Sequence, residues 1–226
     1  MNASTNLTQT LEESEFGTAV VDDFLEPGEF SEIREHLVGH WAWRYKNWTN
    51  GYLHNYEIGT GALDAVAQRL SAPLSRAAGR PLRRITQWAI LAHADRGLIP
   101  HADNGTFVVN FWLTPDEYNL DPASGGMVLF DVRRPDDVMS PEFQITPDSD
   151  EYVSSRTRGG KLEVPYRCNR AIIFDATVFH ASLPISFASY GAYSKRLNVS
   201  MVFDDPELFD ARRERGLSGY GKAAQP

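Results

Sequence analysis

Three side chains of the kinds that bind transition metals stand in two distant stretches of the chain. His101 and Asp103 lie one residue apart just before the apolar run TFVVNFWLT, and His180 follows the apolar run AIIFDA. Residues two apart on an extended chain point to the same face. Two histidines and a carboxylate on one face suit Fe(II), because three ligands leave other coordination positions open. We therefore predict a metal site if the fold brings His180 to the first pair. The alternative is a turn capped by Asp103 and Asn104.

An arginine in the last apolar run is the fourth candidate. In SKRLNVSMVFDD, the residues Arg196, Asn198 and Ser200 alternate and so share a face, whereas Lys195 points the other way. A buried arginine needs a partner. A dicarboxylate co-substrate would supply one through paired hydrogen bonds to the guanidinium group. The alternative is a salt bridge at the surface or inside the protein.

The second half of the chain is predicted to be β-structure. Short runs rich in β-branched and aromatic residues, each bounded by turn residues, follow one another without an intervening helix. These predicted strands are 84–94, 106–114, 125–132, 161–166, 170–176 and 195–205. Such a series favours an antiparallel sandwich, barrel or jelly roll. The polar, acidic segment 133–160 is predicted to be a long inserted loop, either a lid or an inert connection.

The first part of the chain is predicted to flank this β-structure. Residues 1–15 are polar and acidic, so we expect a loose tail. The stretch 41–56 is aromatic, contains Asn-Gly and is predicted to form a hairpin or a lid. The remaining predicted elements are a strand at 16–25 and helices at 26–40 and 62–80. Pro73 is expected to interrupt the second helix and Gly79 to end it.

Composition excludes several classes of function. The chain has 226 residues, of which 42% are hydrophobic and 23% charged, as expected for one soluble globular domain. A net charge of -8 argues against a nucleic-acid-binding surface. No apolar run is long enough to span a membrane. The N-terminal residues lack the features of a signal peptide, and Cys168 is the single cysteine, so we expect a cytoplasmic protein without disulfides.

Four stretches of the sequence resemble the Fe(II)/2-oxoglutarate-dependent oxygenases, in particular small bacterial members related to prolyl hydroxylases. The stretches are HADNGTFVVNFWLTP, SGGMVLFD, RAIIFDATVFHAS and RLNVSMVF, within about residues 84–204. The family's signature order is His-x-Asp, a distal His, then Arg or Lys in the last strand, and all parts occur here in that order. The resemblance implies a mainly β fold, the double-stranded β-helix (a cupin-like jelly roll), with flanking N-terminal helices.

The same resemblance implies one oxygenase domain over residues 1–226. Its parts would be a flexible tail at 1–15, an N-terminal strand and helices at 16–83, a jelly-roll core at 84–204 with an insertion at 133–160, and a C-terminal tail at 205–226. The insertion would account for the long separation between Asp103 and His180.

Carried over position by position, the resemblance assigns iron to His101, Asp103 and His180 as metal ligands and catalytic residues. Arg196 would bind the distal carboxylate of 2-oxoglutarate, with Asn198 or Ser200 beside it. Asn110 would be a further co-substrate residue, because it shares a strand face with Val108 and Trp112.

Two further groups of side chains have open interpretations. His93 stands near a position where relatives often have a co-substrate-binding tyrosine. Both His93 and Asn110 fit equally well as satisfied polar residues of the core. Trp112, Trp41 and Trp43 are substrate-binding candidates, and the last two belong to an aromatic cluster with Tyr45, Trp48 and Tyr52. Such clusters form either a pocket rim or ordinary core.

The implied reaction consumes O2 and 2-oxoglutarate and releases succinate and CO2 while a C–H bond of a small-molecule or amino-acid-like substrate is oxidised, most often to an alcohol. Related halogenases lack the metal-binding carboxylate, so Asp103 favours hydroxylation, desaturation or ring closure. One alternative is a peptidyl or protein hydroxylase with the same mechanism. Another is a cupin-like metal-binding jelly roll without oxygenase activity, although cupins usually have a histidine in place of Asp103 and need no arginine in the last strand.

Overall fold

The computed structural model describes residues 3–14, 16–40, 43–45, 52–92, 95, 97–135, 143, 147–211 and 214. Its helices are α1 (Ala3–Glu13), α2 (Pro27–Gly39), α3 (Gly61–Ala78) and α4 (Pro147–Ser154). Its strands are β1 (Thr18–Val21), β2 (Arg44–Tyr45), β3 (Tyr52–Asn55), β4 (Arg83–Ala92), β5 (Phe107–Trp112), β6 (Met127–Arg133), β7 (Lys161–Val164), β8 (Ala171–Asp175), β9 (Val178–Ser182) and β10 (Leu197–Asp204). No helix in these ranges is long and apolar enough to cross a lipid bilayer.

The strands of the described residues form two antiparallel sheets. The larger has seven strands in the order β1-β8-β5-β10-β4-β3-β2, and the smaller has three in the order β7-β6-β9. The prediction of a mainly β, antiparallel structure with helices beside it is confirmed. The predicted hairpin at 41–56 corresponds to the pair β2–β3, in which Arg44 is opposite His54.

The central strands of the large sheet are buried on both faces, and each face has a different composition. In β5, Phe107, Val109 and Phe111 pack into the core cluster that includes α2 and α3. Val108 and Trp112 pack on the other side, in a cluster shared with the small sheet. The alternation of β5 therefore separates a helix-facing side from a side that faces the second sheet.

The helical layer is built from apolar stripes with clear helix-ending signals. In α3, the Thr60 side chain accepts a hydrogen bond from the Leu63 backbone N–H (3.1 Å), and Gly79 ends the helix in the left-handed conformation at φ 66°. The expected interruption at Pro73 is wrong, because α3 continues through this buried residue to Ala78. The lost backbone hydrogen bond is offset by the buried apolar face of the helix.

Three predictions about the segments around the core are corrected. The expected loose tail at 1–15 contains α1, which packs on α3 through the buried Leu11. The expected loop at 133–160 contains α4, and β6 already extends to Arg133. The expected C-terminal tail begins with a helical turn at 206–211. These segments have few apolar residues, so their hydrophobic periodicity is weak, and tertiary packing decides their structure.

Gly126, in the sequence SGG at the start of β6, provides a test of this packing. A Cβ atom at this position would lie 2.3 Å from the Val164 carbonyl oxygen and 3.1 Å from the Tyr166 backbone nitrogen. Because backbone atoms cannot move aside as a side chain does, we expect Gly126→Ala to lower the free energy of unfolding by about 2–3 kcal/mol.

The control is Gly28→Ala, since an added Cβ at Gly28 in the first turn of α2 would meet no atom within 4 Å. This variant should be unchanged or more stable by up to about 1 kcal/mol. Urea denaturation followed by circular dichroism measures both values. Equal stability of Gly126→Ala and the parent would contradict the close backbone approach.

Candidate metal centre

The segment between β4 and β5 carries the first two candidate ligands and is joined directly to β9. The backbone N–H of His101 donates to the carbonyl of His180 (2.9 Å), and the N–H of His180 donates to the carbonyl of His101 (2.8 Å). Residues directly opposite in such an antiparallel pair project to the same side. The sequence suggested that His180 lies just past a strand; the structure places it within β9.

This pairing brings the three predicted ligand side chains together. The rings of His101 and His180 have centroids 4.3 Å apart, and His180 Nε2 lies 3.6 Å from Asp103 Oδ2. One potential ligand atom from each of the three residues lies within 4.8 Å of the others. Within the ranges that the structure describes, no other set of three His, Cys, Asp or Glu side chains converges in this way.

The hydrogen bonds of the two histidines orient their rings. His101 Nδ1 lies 2.9 Å from the carbonyl oxygen of Ile99, and His180 Nδ1 lies 3.1 Å from that of Val178. A carbonyl oxygen only accepts, so Nδ1 carries the proton in each ring, and in the neutral form of the ring Nε2 keeps a free lone pair. This is the arrangement in which neutral histidine binds metals.

Burial controls the charges of the site. It raises the pKa of Asp103, although the nearby charges of His101 and Arg134 act in the opposite direction. It lowers the pKa of His180 well below the usual range, and the charge of His101 adds to this effect. Burial thus favours a neutral His180 and disfavours an uncompensated carboxylate at Asp103. A bound cation would supply the missing compensation.

A second arginine, Arg134, holds the segment that carries Asp103. It is 3% exposed, and its Nε donates to the carbonyl of Asp103 (2.9 Å), Nη2 to that of Gly105 (3.3 Å) and Nη1 to that of Pro135 (2.8 Å). In the sequence, Arg134 belongs to the predicted inserted loop and has no predicted role of its own. The one hint of a structural role was that Arg134 lies directly after β6. Its hydrogen bonds, however, join segments about thirty residues apart in the sequence, which a local pattern does not predict.

The described part of the 133–160 segment packs behind the segment that carries His101 and Asp103. Ala102 lies in an apolar cluster with Phe143, Val153 and Phe179, and its backbone N–H donates to the carbonyl of Phe143 (2.8 Å). Ser149 in α4 donates to the carbonyl of Pro100. These contacts hold the segment around His101 in place. The segment's proposed use as a lid remains a prediction.

The fourth predicted residue, Arg196, enters the space beside the three ligands. A chamber of about 30 Å³ is lined by His101, Asp103 and His180 together with Arg196, and we call it the inner chamber. Arg196 is 2% exposed; its Nε donates to the carbonyl of Gly125 (2.6 Å) and its Nη1 to Asn198 Oδ1 (2.9 Å). Within the described residues it has no carboxylate partner, and burial lowers its pKa.

Polar side chains from the two central strands complete the inner chamber. Asn110, Asn198 and Ser200 line it, as the predicted strand alternation requires. Asn110 Nδ2 donates to Ser200 Oγ (2.8 Å), whereas Asn110 Oδ1 is buried and has no partner within the described ranges. A buried acceptor without a donor is costly, so Asn110 Oδ1 is available to a ligand.

Two tyrosines close to Arg196 were not recognised as neighbours of the site. Tyr52 in β3 is fully buried, and its hydroxyl is hydrogen-bonded to the Ser182 side chain and the Leu98 backbone. Burial raises the pKa of Tyr52 and of Tyr166, and the charge of Arg196 partly opposes both shifts. The sequence placed Tyr52 only in an aromatic cluster. The signal that could have predicted its inward position is its alternation with His54 in YLHN, which puts both residues on one strand face.

The tryptophan candidates for substrate binding are corrected or fall outside the described residues. Trp43 packs against the helix-side core, and its Nε1 donates to the carbonyl of Leu37 (3.1 Å), so it does not face the ligands. Trp112 is fully buried behind Arg196, whose guanidinium carbon lies 5.6 Å from the Trp112 ring centroid, and it does not line the inner chamber. Trp41 and His93 lie outside the described residues.

Comparison with solved structures places this geometry in a known fold. The epimerase SnoN, solved with Fe3+, alpha ketoglutarate and nogalamycin RO, matches with a TM-score of 0.62 and 19% identity, over 90% of this chain and 84% of SnoN. A prolyl hydroxylase from Trichoplax adhaerens, solved with a peptide fragment of hypoxia inducible factor, matches with a TM-score of 0.62 and 15% identity, over 93% and 91%. HygX from Streptomyces hygroscopicus, solved with nickel, 2-oxoglutarate and hygromycin B, matches with a TM-score of 0.60 and 12% identity, over 91% and 88%.

The chain has the fold of the 2-oxoglutarate- and iron-dependent oxygenases. The resemblance seen in the sequence is confirmed at this level, since the matches extend over nine tenths of the chain. No family model matches the sequence, and no curated protein matches it.

Arg134 gives a test of how the segment that carries Asp103 is held. Its removal in Arg134→Met would leave buried carbonyl oxygens without donors, so we expect the free energy of unfolding to fall by about 2–4 kcal/mol. The matched control is Arg133→Met, because Arg133 is 42% exposed and pairs with Asp175 near the surface. That change should cost less than about 1 kcal/mol. Chemical denaturation measures both, and equal losses would show that Arg134 has no special role.

Proposed function

We propose that this protein is an Fe(II)- and 2-oxoglutarate-dependent oxygenase that hydroxylates a C–H bond of a small molecule. The observation that carries the proposal is the inner chamber: a buried guanidinium without a carboxylate partner among the described residues lies there beside two histidines and an aspartate. A buried cation without a counter-ion is unfavourable, so Arg196 is best explained by an anionic ligand. We further propose that the two sheets form a double-stranded β-helix around this chamber.

The residues of the site fit an iron ion. Two imidazole nitrogens and one carboxylate oxygen are the donor set of facial iron sites. The histidines already have the ring orientation that directs Nε2 away from the Nδ1 hydrogen bonds, and burial keeps His180 neutral. A divalent cation would also stabilise the ionised Asp103 carboxylate, which burial disfavours. We assign His101, Asp103 and His180 as its ligands and as the catalytic residues.

Arg196 is proposed to bind the distal carboxylate of 2-oxoglutarate. Its Nε and Nη1 are held by Gly125 and Asn198, which fixes the plane of the guanidinium group, and Nη2 has no hydrogen-bond partner within the described ranges. A fixed donor can bind a carboxylate without the entropic cost of ordering a flexible side chain. Asn198 would therefore orient Arg196, and Asn110 would offer its unpaired Oδ1 to a donor group in the same chamber.

When bound, iron would supply the redox centre at which O2 and 2-oxoglutarate are consumed and substrate is oxidised, with release of succinate and CO2. The chain's residues orient the reactants and exclude water. Trp88, Ile90 and Leu98 also line the inner chamber, and their apolar surfaces limit the entry of solvent. Asp103 would fill the ligand position that is free for halide in related halogenases, so hydroxylation is favoured over halogenation.

Two neighbours guide the choice of substrate type. SnoN was solved with nogalamycin RO and HygX with hygromycin B, both small molecules, whereas the Trichoplax adhaerens enzyme was solved with a peptide. We favour a small molecule, because the space beside His101 and Asp103 is a cavity of about 230 Å³. Turnover on a peptide library but not on free metabolites would reverse this choice.

The proposed role of Arg196 is tested by 2-oxoglutarate binding. In Arg196→Ala, the Co(II)-loaded protein should bind 2-oxoglutarate at least about 30-fold more weakly, because the loss includes charge-assisted hydrogen bonds. Isothermal titration calorimetry without oxygen measures the affinity, and release of CO2 with Fe(II) and oxygen measures turnover. Arg69→Ala is the control, since Arg69 is 43% exposed and pairs with Glu29 in the helical layer. Parent-like binding by a folded Arg196→Ala protein would refute the assignment.

The proposed metal ligands are tested by metal affinity alone. Asp103→Ala should reduce Co(II) affinity on the order of 100-fold or more, because it removes the single anionic ligand of the set. The absorption of bound Co(II) reports both affinity and coordination. Asp148→Ala changes an exposed carboxylate in the first turn of α4 and should leave the spectrum unchanged. An unaltered Co(II) titration in Asp103→Ala would remove the support for an oxygenase.

A further inference from the structure

A second cavity opens next to the candidate metal ligands, and its walls indicate the class of molecule that it accepts. This space of about 230 Å³, which we call the outer cavity, is bordered by His101 and Asp103. It shares Trp88, Ile90 and Leu98 with the inner chamber, so the two spaces adjoin. A molecule in the outer cavity therefore has direct access to the position proposed for iron.

Aromatic rings surround much of the outer cavity. Its lining includes His54, Tyr56, Trp88 and Phe209. The rings of Tyr56 and Trp88 have centroids 6.5 Å apart, and those of His54 and Tyr56 are stacked at 6.2 Å with an interplanar angle of 15°. Aromatic surfaces of this kind favour flat, apolar partners, through burial and through stacked or tilted ring contacts.

Charge is nearly absent from the same lining. Among the described residues that border the outer cavity, Asp103 is the single Asp, Glu, Lys or Arg side chain, and the proposed function assigns it to the metal. A substrate carboxylate or ammonium group would therefore lose hydration without gaining a counter-ion from these described residues. A separate cavity of about 240 Å³ beside Arg196 shows the contrast, since Asp95 and Lys195 also line it.

Two further features define the size and polarity of the expected molecule. A cavity of about 150 Å³ accepts a benzene ring, so 230 Å³ has room for about two fused rings. Asn104 lines the cavity, and its Oδ1 is buried without a partner in the described part of the chain. This acceptor suits a hydroxyl group on the ring system.

We propose that the substrate presents an uncharged, flat ring system of about two fused rings, carrying a hydroxyl group, to the outer cavity. The inference rests on the proposed function, because it takes the ligands of the proposed iron as the reactive end of the cavity. It also replaces the amino-acid-like substrate expected from the sequence, since a free amino acid carries charges that this lining does not neutralise.

The test compares four bicyclic probes of similar size on the Co(II)- and 2-oxoglutarate-loaded protein without oxygen. The probes are 2-naphthol, 2-naphthoate, 2-naphthylmethylammonium and L-tryptophan, which are neutral, anionic, cationic and zwitterionic. Isothermal titration calorimetry should give a Kd for 2-naphthol at least tenfold below that of each charged probe. A charged probe that binds as tightly as 2-naphthol, or a failure of 2-naphthol to bind, overturns the inference.

Variants locate the binding site. Tyr56→Ala should weaken 2-naphthol binding at least fivefold, and it is safe for folding because Tyr56 is 49% exposed. Trp88→Leu should do the same, and circular dichroism checks that this partly buried change leaves the protein folded. Tyr190→Ala removes a ring that is 74% exposed and is not part of the outer cavity lining, so binding should be unchanged. Unchanged affinity in a folded Tyr56→Ala and Trp88→Leu would place the probe elsewhere and overturn the inference.

Titration with 2-oxoglutarate separates this inference from the proposed function. If 2-oxoglutarate binds the Co(II)-loaded parent but 2-naphthol does not, the substrate class is wrong and the oxygenase proposal stands. If 2-oxoglutarate fails to bind, the oxygenase proposal itself fails.

Discussion

The reciprocal backbone hydrogen bonds between His101 and His180 are the contact on which the site depends. They join the segment after β4 to β9, and so connect the large sheet to the small one at the place where ligands converge. Because opposed residues of an antiparallel pair project to one side, two hydrogen bonds orient both imidazoles at once. Asp103 then follows on the same face, two residues along the chain. The geometry of the candidate triad is thus a consequence of strand pairing, and Arg134 stabilises it from behind.

The second constraint is the burial of Arg196. Its guanidinium group is hydrogen-bonded in place by a backbone carbonyl and by Asn198, yet no carboxylate among the described residues forms an ion pair with it. A core that maximised stability would not contain such a group, since an apolar residue of similar volume would avoid the desolvation cost. Buried, uncompensated charge is therefore evidence for a ligand rather than for structure. The same reasoning applies to the unpaired Asn110 Oδ1.

Structural features that depend on neighbouring residues could be predicted from the sequence, whereas contacts between distant segments could not. The period-2 alternation in β5 and β10 correctly separated Asn110, Asn198 and Ser200 from the helix-facing residues, because alternation is a local property. The order of the motifs predicted the fold and the convergence of the three candidate ligands with Arg196, because that order resembles the one in a known family. Trp43 was assigned wrongly, since aromatic composition does not tell which side of a sheet a residue meets. The support from Arg134 and α4 joins segments distant in sequence, and no local pattern reports such contacts.

The central strands have one apolar face that stabilises the fold and one partly polar face that lines the inner chamber. Toward the helices, β10 presents Leu197, Val199, Met201 and Phe203, which are almost fully buried in the main apolar core. Toward the small sheet, it presents Asn198 and Ser200, which are equally buried but polar. Burying polar groups lowers the free energy of unfolding unless every hydrogen bond is made. The apolar burial on the helix-facing side must therefore offset the cost of the polar groups on the chamber-facing side. The helices α2 and α3 are remote from the candidate ligands. Their packing on the apolar face of the sheet nevertheless supplies the stability that allows β10 to carry a buried polar site.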